Sequence, residues 1–312
     1  MNLRLVICLL AVLFLAAAPA CAPQVDTDSE AYRLDLVREL KTFAAGFGFT
    51  ETRNFKSYTP GFTAYDYYFY TPLTTLPYSL GDPLLEFGTG TADNITFERS
   101  RYDVFFYAIQ AIAGVDTPVT GSLMKAPLER FIYVILHEDW HEQIDLPITI
   151  EEPSGEVVSY AAAMLFSRQK YGEGSAVYKT LEAELDRKLR ESQVYAAYYD
   201  RLAGLYADFR AGKLSEADTL KAKAGLLDSM AGELQGISGA APELNNAFIA
   251  FQMTYLRHLP LMQRVHTGAG RDLARTLDIF RGMPGQGVAV DSLETIKSLE
   301  KEITGYLRAS LP

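Results

Sequence analysis

The stretch that most constrains this chain runs from Phe131 to Glu142 and reads F-I-Y-V-I-L-H-E-D-W-H-E. Phe131, Ile132, Val134, Ile135 and Leu136 form an apolar run that suits a buried helix or a buried strand. The continuation favours the helix: His137 and His141 are four residues apart, so they stand one turn above the other on a single face. Two neutral imidazoles at that spacing can grip one Zn2+ at about 2.0–2.1 Å each. Glu138 falls beside such an ion, where a general base for a water molecule is needed. The plain alternative is a solvated helix that carries two histidines by chance. Only four histidines occur in the whole chain, and two of them stand at ligand spacing behind a buried apolar run. The metal reading is therefore the stronger.

At 312 residues, with 48% hydrophobic and 22% charged residues, the chain can bury a large core. A net charge of −10 leaves no basic surplus to neutralise phosphates, which argues against a nucleic-acid partner. The two cysteines are Cys8 and Cys21, so neither a disulfide nor a thiolate ligand is expected inside the domain. Both cysteines belong to an N-terminal pattern. Arg4, the apolar run Leu5 to Leu15 and the small residues up to Ala20 read as a signal peptide over 1–20. Cys21, directly after it in A-P-A-C, resembles the acylated cysteine of bacterial lipoproteins. That resemblance implies export and a lipid anchor on the periplasmic side of the outer membrane, with cleavage before an unmodified Cys21 as the alternative.

Residues 21–29 read as a polar tether, and 30–312 as one domain in two parts. The first part, 30–125, is aromatic-rich and mixed. A short helix over Glu30–Phe43 is followed by Tyr58, Phe62, Tyr65, Tyr67, Tyr68, Phe69, Tyr70 and Tyr78, crowded between prolines, which favours short strands and ordered loops. Core packing is the expected role of those rings, with an aromatic ligand wall as the alternative. Tyr102 to Ile112 reads as a further strand. The second part, 126–312, is helical. A helix start is expected near Glu151–Ser154 with Pro153 in its first turn, then helices over about 175–210, 215–235 and 242–258, broken at Pro260, and a last one after Asp291.

A catalytic zinc site takes three protein ligands and an open position. A carboxylate on the following helix is the expected third. Glu156 lies deepest in the apolar run and is favoured, while Glu151 and Glu152 are the alternatives nearer the helix start. Ser159, one turn on, is a possible partner for a ligand. Tyr255 and His258 are candidates to stabilise an oxyanion or contact substrate, although core roles suit both.

H137-E-D-W-H141 followed by Glu156 resembles the gluzincin metallopeptidases, which pair HExxH with a glutamate on the next helix. The segments at 102–119, 134–143, 201–209 and 244–255 are similar to a bacterial family of predicted aminopeptidases, often exported lipoproteins. The family's helix usually reads H-E-L-A-H-Q and its third-ligand segment N-E-x-x-A. Here Asp139 and Trp140 stand inside the first motif, and Gly155 precedes Glu156. The resemblance implies a mainly α, zincin-like fold with a small β region, one Zn2+ and a peptide substrate. Two rivals stand beside it: a zincin-like envelope protein that binds or assembles without turnover, and a metal hydrolase acting on another substrate.

Overall fold

The computed structural model describes residues 26–312. The signal peptide expected over 1–20 and Cys21 lie outside the described residues. Ten helices and five short strands are present among them: α1 (Glu30–Ala45), β1 (Tyr58–Thr59), β2 (Tyr65–Pro72), β3 (Glu86–Thr89), β4 (Tyr102–Ile109), β5 (Val119–Thr120), α2 (Gly121–Met124), α3 (Leu128–His141), α4 (Ile148–Tyr171), α5 (Ala176–Arg210), α6 (Glu216–Ser238), α7 (Asn246–Leu256), α8 (Leu259–Gly268), α9 (Leu273–Arg281) and α10 (Leu293–Ala309). The fold is mainly helical with a small β region, as the sequence suggests.

The centre is α3. Phe131 to Leu136 are all buried, so this helix has no solvated face over its middle turns. It packs against α1, α4 and α5. Each fully buried Leu or Ile there contributes about 1.5–3 kcal/mol relative to exposure. Two residues that look foreign to an HExxH helix lock it in place. The Asp139 carboxylate takes Lys41 Nζ from α1 at 2.9 Å and the Thr52 hydroxyl at 2.5 Å. Trp140 is fully buried against Phe49 and donates from Nε1 to Ser154 Oγ on α4 at 3.0 Å. Both satisfy polar groups that burial would otherwise penalise.

The sheet is antiparallel in the order β3–β2–β4, with Tyr67 opposite Tyr107 and Phe69 opposite Phe105. Alternation puts these four rings on one face, where Phe105 meets Phe248 and Phe251 of α7. A parallel pair, β1 with β5, ties the loop after α1 to the chain before α3.

Three expectations shift. The helix expected near Glu151 begins at Ile148, directly after Pro147, so Pro153 sits inside it rather than at its start. Pro260 does not end a helix but opens a new one, α8, at a position where its missing N–H costs nothing. α9 was not expected at all: its short amphipathic pattern is masked by the glycines around it.

Candidate metal centre

His137 and His141 project from one face of α3, and α4 crosses them with Glu152. The three groups converge, with His137 Nε2 to His141 Nε2 3.1 Å, His137 Nε2 to Glu152 Oε2 3.2 Å, and His141 Nε2 to Glu152 Oε2 3.4 Å. Ligands at about 2.0–2.1 Å from one ion at tetrahedral angles lie about 3.3–3.4 Å apart, so the triangle is close to the size that a single small metal ion requires. This His137, His141, Glu152 set is the one group among the described residues whose donor atoms can hold a metal ion.

Their outer atoms are occupied in the way a ligand set needs. His141 Nδ1 is 2.5 Å from Glu151 Oε1, which fixes the ring and leaves Nε2 pointing inward. His137 Nδ1 lies 3.3 Å from the Tyr133 hydroxyl and 3.5 Å from Ser159 Oγ. Tyr133 donates its one proton to Glu156 Oε1 at 2.8 Å, so toward His137 it can only accept. Lys188 Nζ from α5 lies 2.8 Å from both Glu156 oxygens. Lys188, Glu156, Tyr133 and His137 thus form a chain of hydrogen bonds behind the metal face.

The favoured third ligand therefore moves by one turn. Glu156 is buried but faces Tyr133 and Lys188, and Glu152 stands with the histidines. The cause is the helix start: α4 begins three residues earlier than expected, which buries Glu152 in its second turn rather than leaving it as a solvated first-turn acid. Gly155, between the two glutamates, has its own reason. A Cβ there would come within 3.1 Å of His137 Cε1 and 3.2 Å of Trp140 Cδ1.

Electrostatics follow this geometry. Burial opposes charge on His141, yet Glu152 and Glu151 outweigh it and raise its pKa well above the ordinary value. Burial would raise Glu152, but His141 and His137 hold it well below the usual carboxylate range. Glu138 is raised, chiefly by burial, with the neighbouring imidazoles pulling the other way. Burial would raise Glu156, but Lys188, His137 and Tyr133 together outweigh it and keep it low.

The metal face opens into a cavity of about 740 Å³ between α3, α4, α7 and the aromatic face of the sheet. Glu138 and Tyr255 both line it. Burial pushes the Tyr255 hydroxyl well up, so it stays a neutral donor. Within the aromatic stretch, Phe69 packs in the core as expected and also lines the cavity. His258 does not reach the cavity. α7 ends at Leu256, and the turn into α8 carries His258 to Glu300 of α10, at 3.5 Å.

Residues around the site that the sequence did not single out in these roles are Glu151, as the partner of His141, and Tyr133 and Lys188. Tyr133 was legible in principle, one turn before His137 on the same face. Lys188 carries no such signal, because only packing brings α5 to Glu156. Searches against protein-family models, curated proteins and solved structures find no match to this chain.

Proposed function

We propose that this chain is a zinc-dependent peptidase. The observation that carries the reading is the His137–His141–Glu152 triangle with Glu138 beside it in a cavity. Zn2+ bound there would supply a Lewis acid for a carbonyl and lower the pKa of water towards neutrality. His137, His141 and Glu152 would hold it, with Glu151 and Tyr133 fixing the two rings.

The remaining work belongs to the chain's own groups. Glu138 is half-buried at the cavity wall, and its raised pKa suits a carboxylate that takes a proton from the attacking water and returns it to the leaving amine. Tyr255 lines the same cavity with a neutral hydroxyl, available to donate to an oxyanion. Residues 110–113, continuing from β4, also line the cavity, beside which an extended peptide would lie.

Asp139 and Trp140, which depart from the family's motif, are the residues that would favour the non-catalytic rival. Both turn away from the cavity and act in packing, which removes that ground. The predicted aminopeptidase resemblance supports a peptide substrate. The N-terminal pattern adds to the proposal an exported protein anchored through Cys21, for which lipid labelling lost in Cys21→Ala is the test.

Metal analysis of chain purified without chelator tests the core of the reading. About one zinc per chain is expected, lost in the His137→Ala, His141→Ala double variant. A chain that takes up no transition metal even after zinc addition overturns it.

A further inference from the structure

The cavity holds a cation with no carboxylate to pair it. Arg130 lies on α3 seven residues before His137, which is two turns along the same face and about 10 Å along the axis. Its Nε donates to Gln110 Oε1 at 3.2 Å, and its guanidinium lies 5.3 Å from the centre of the Tyr133 ring. The other guanidinium N–H groups have no protein partner among the described residues. They are not sealed in packing either, and Arg130 lines the cavity.

The local charge balance points the same way. Lys188 lies 5.9 Å from the same Tyr133 ring, but Glu156 neutralises it. Among the residues that line this end of the cavity, two cations face one carboxylate, and the one left without a partner is Arg130. The metal end is the reverse, with Glu138, Glu151 and Glu152 gathered around the histidines. A half-buried guanidinium loses hydration unless an anion meets it, and its planar fork matches a carboxylate in two parallel hydrogen bonds. The amide NH2 of Gln110, also without a protein partner among the described residues, adds a neutral donor beside it.

Resting on the peptidase reading, we propose that Arg130 and Gln110 form a subsite for a carboxylate of the substrate. An extended peptide advances about 3.3 Å per residue, so the two-turn offset of about 10 Å between Arg130 and His137 along the helix axis corresponds to about three residues of peptide. The group is either the peptide's own C-terminus, which would limit cleavage to short C-terminal fragments, or an acidic side chain.

The test uses the zinc-loaded Glu138→Gln chain, in which turnover is suppressed, and reads binding by calorimetry. Three probes are titrated: tetra-alanine with a free C-terminus, its C-terminal amide, and the same amide with one alanine replaced by glutamate. At least one carboxylate-bearing probe is expected to bind about tenfold or more tighter than the neutral amide, the scale of a charge-assisted hydrogen bond. Preference for the free acid assigns the C-terminus, and preference for the glutamate amide assigns a side chain. Adding Arg130→Met should remove the preference while leaving the neutral amide unchanged. Should Arg130→Met fail to fold, Arg130→Lys is expected to weaken the preference without reversing it. Equal binding of all three probes, or a preference that survives Arg130→Met, overturns the subsite alone. Zinc-loaded chain that binds none of them overturns the peptidase reading and the subsite together.

Discussion

Glu152 and Glu156 share one face of α4, four residues apart, yet meet different partners: Glu152 Oε2 stands 3.2 Å from His137 Nε2, whereas Glu156 Oε1 accepts from Tyr133 at 2.8 Å. One carboxylate faces the metal position, and the other holds the hydrogen-bond chain behind it. The same imidazole connects them, with Nε2 toward Glu152 and Nδ1 toward Tyr133.

That division predicts unequal losses. Removing an outer partner of a ligand costs about 10–100-fold in metal affinity, so Glu156→Ala should stay within that range. Glu152→Ala should exceed it. Glu156→Ala should also lower stability by about 2 kcal/mol, because Tyr133 and Lys188 lose their shared acceptor. Chelator competition and thermal melting read the two effects, and a larger zinc loss in Glu156→Ala would refute the assignment of Glu152.

Gly155→Ala separates steric support from helix propensity. Alanine is favoured over glycine inside a helix by about 1 kcal/mol, so a neutral site would gain stability. Here the new methyl would lie 3.1 Å from His137 Cε1 and 3.2 Å from Trp140 Cδ1, and the His137 ring is already stacked on Tyr133. The expected outcome is weaker zinc binding, by about tenfold, with no gain in Tm. A stabilised variant with unchanged affinity would show that the ring has room to move.

Glu138→Gln should keep its zinc and lose at least about 10²-fold in peptide turnover, since the amide cannot accept the proton. Zinc content and kcat are measured on the same preparation. Equal turnover in both proteins would assign the activity to another group.

Zinc affinity should rise with pH until His141 is neutral. Coordination needs the unprotonated ring, and the raised pKa keeps a competing proton on it to higher pH. Affinity therefore falls by roughly tenfold per pH unit below that pKa and levels off above it. Glu151→Gln removes one of the carboxylates that raise His141, so its plateau should begin at lower pH. Titrations at a series of pH values check this, and a flat profile through the acidic and neutral range would contradict it.

Sequence alone determined the parts of this protein that depend on local spacing. A spacing of four positions between the histidines places both imidazoles on one face of a helix, and the apolar run before them requires that the helix be central. The amphipathic patterns and the caps, such as Ser215 accepting from Asp218 N at 3.1 Å, set the long helices α5 and α6. Tertiary structure decided which carboxylate joins the pair. Helix periodicity makes Glu152 and Glu156 equivalent in direction, and only the landing point of the 142–147 connection determines which turn of α4 faces α3. It also decided that Asp139 serves Lys41, that His258 serves Glu300, and that Arg130 is left unpaired. Each of these outcomes depends on partners far away in the chain. A side chain's charge is written in the sequence, but whether another charge will meet it is settled only when the helices pack.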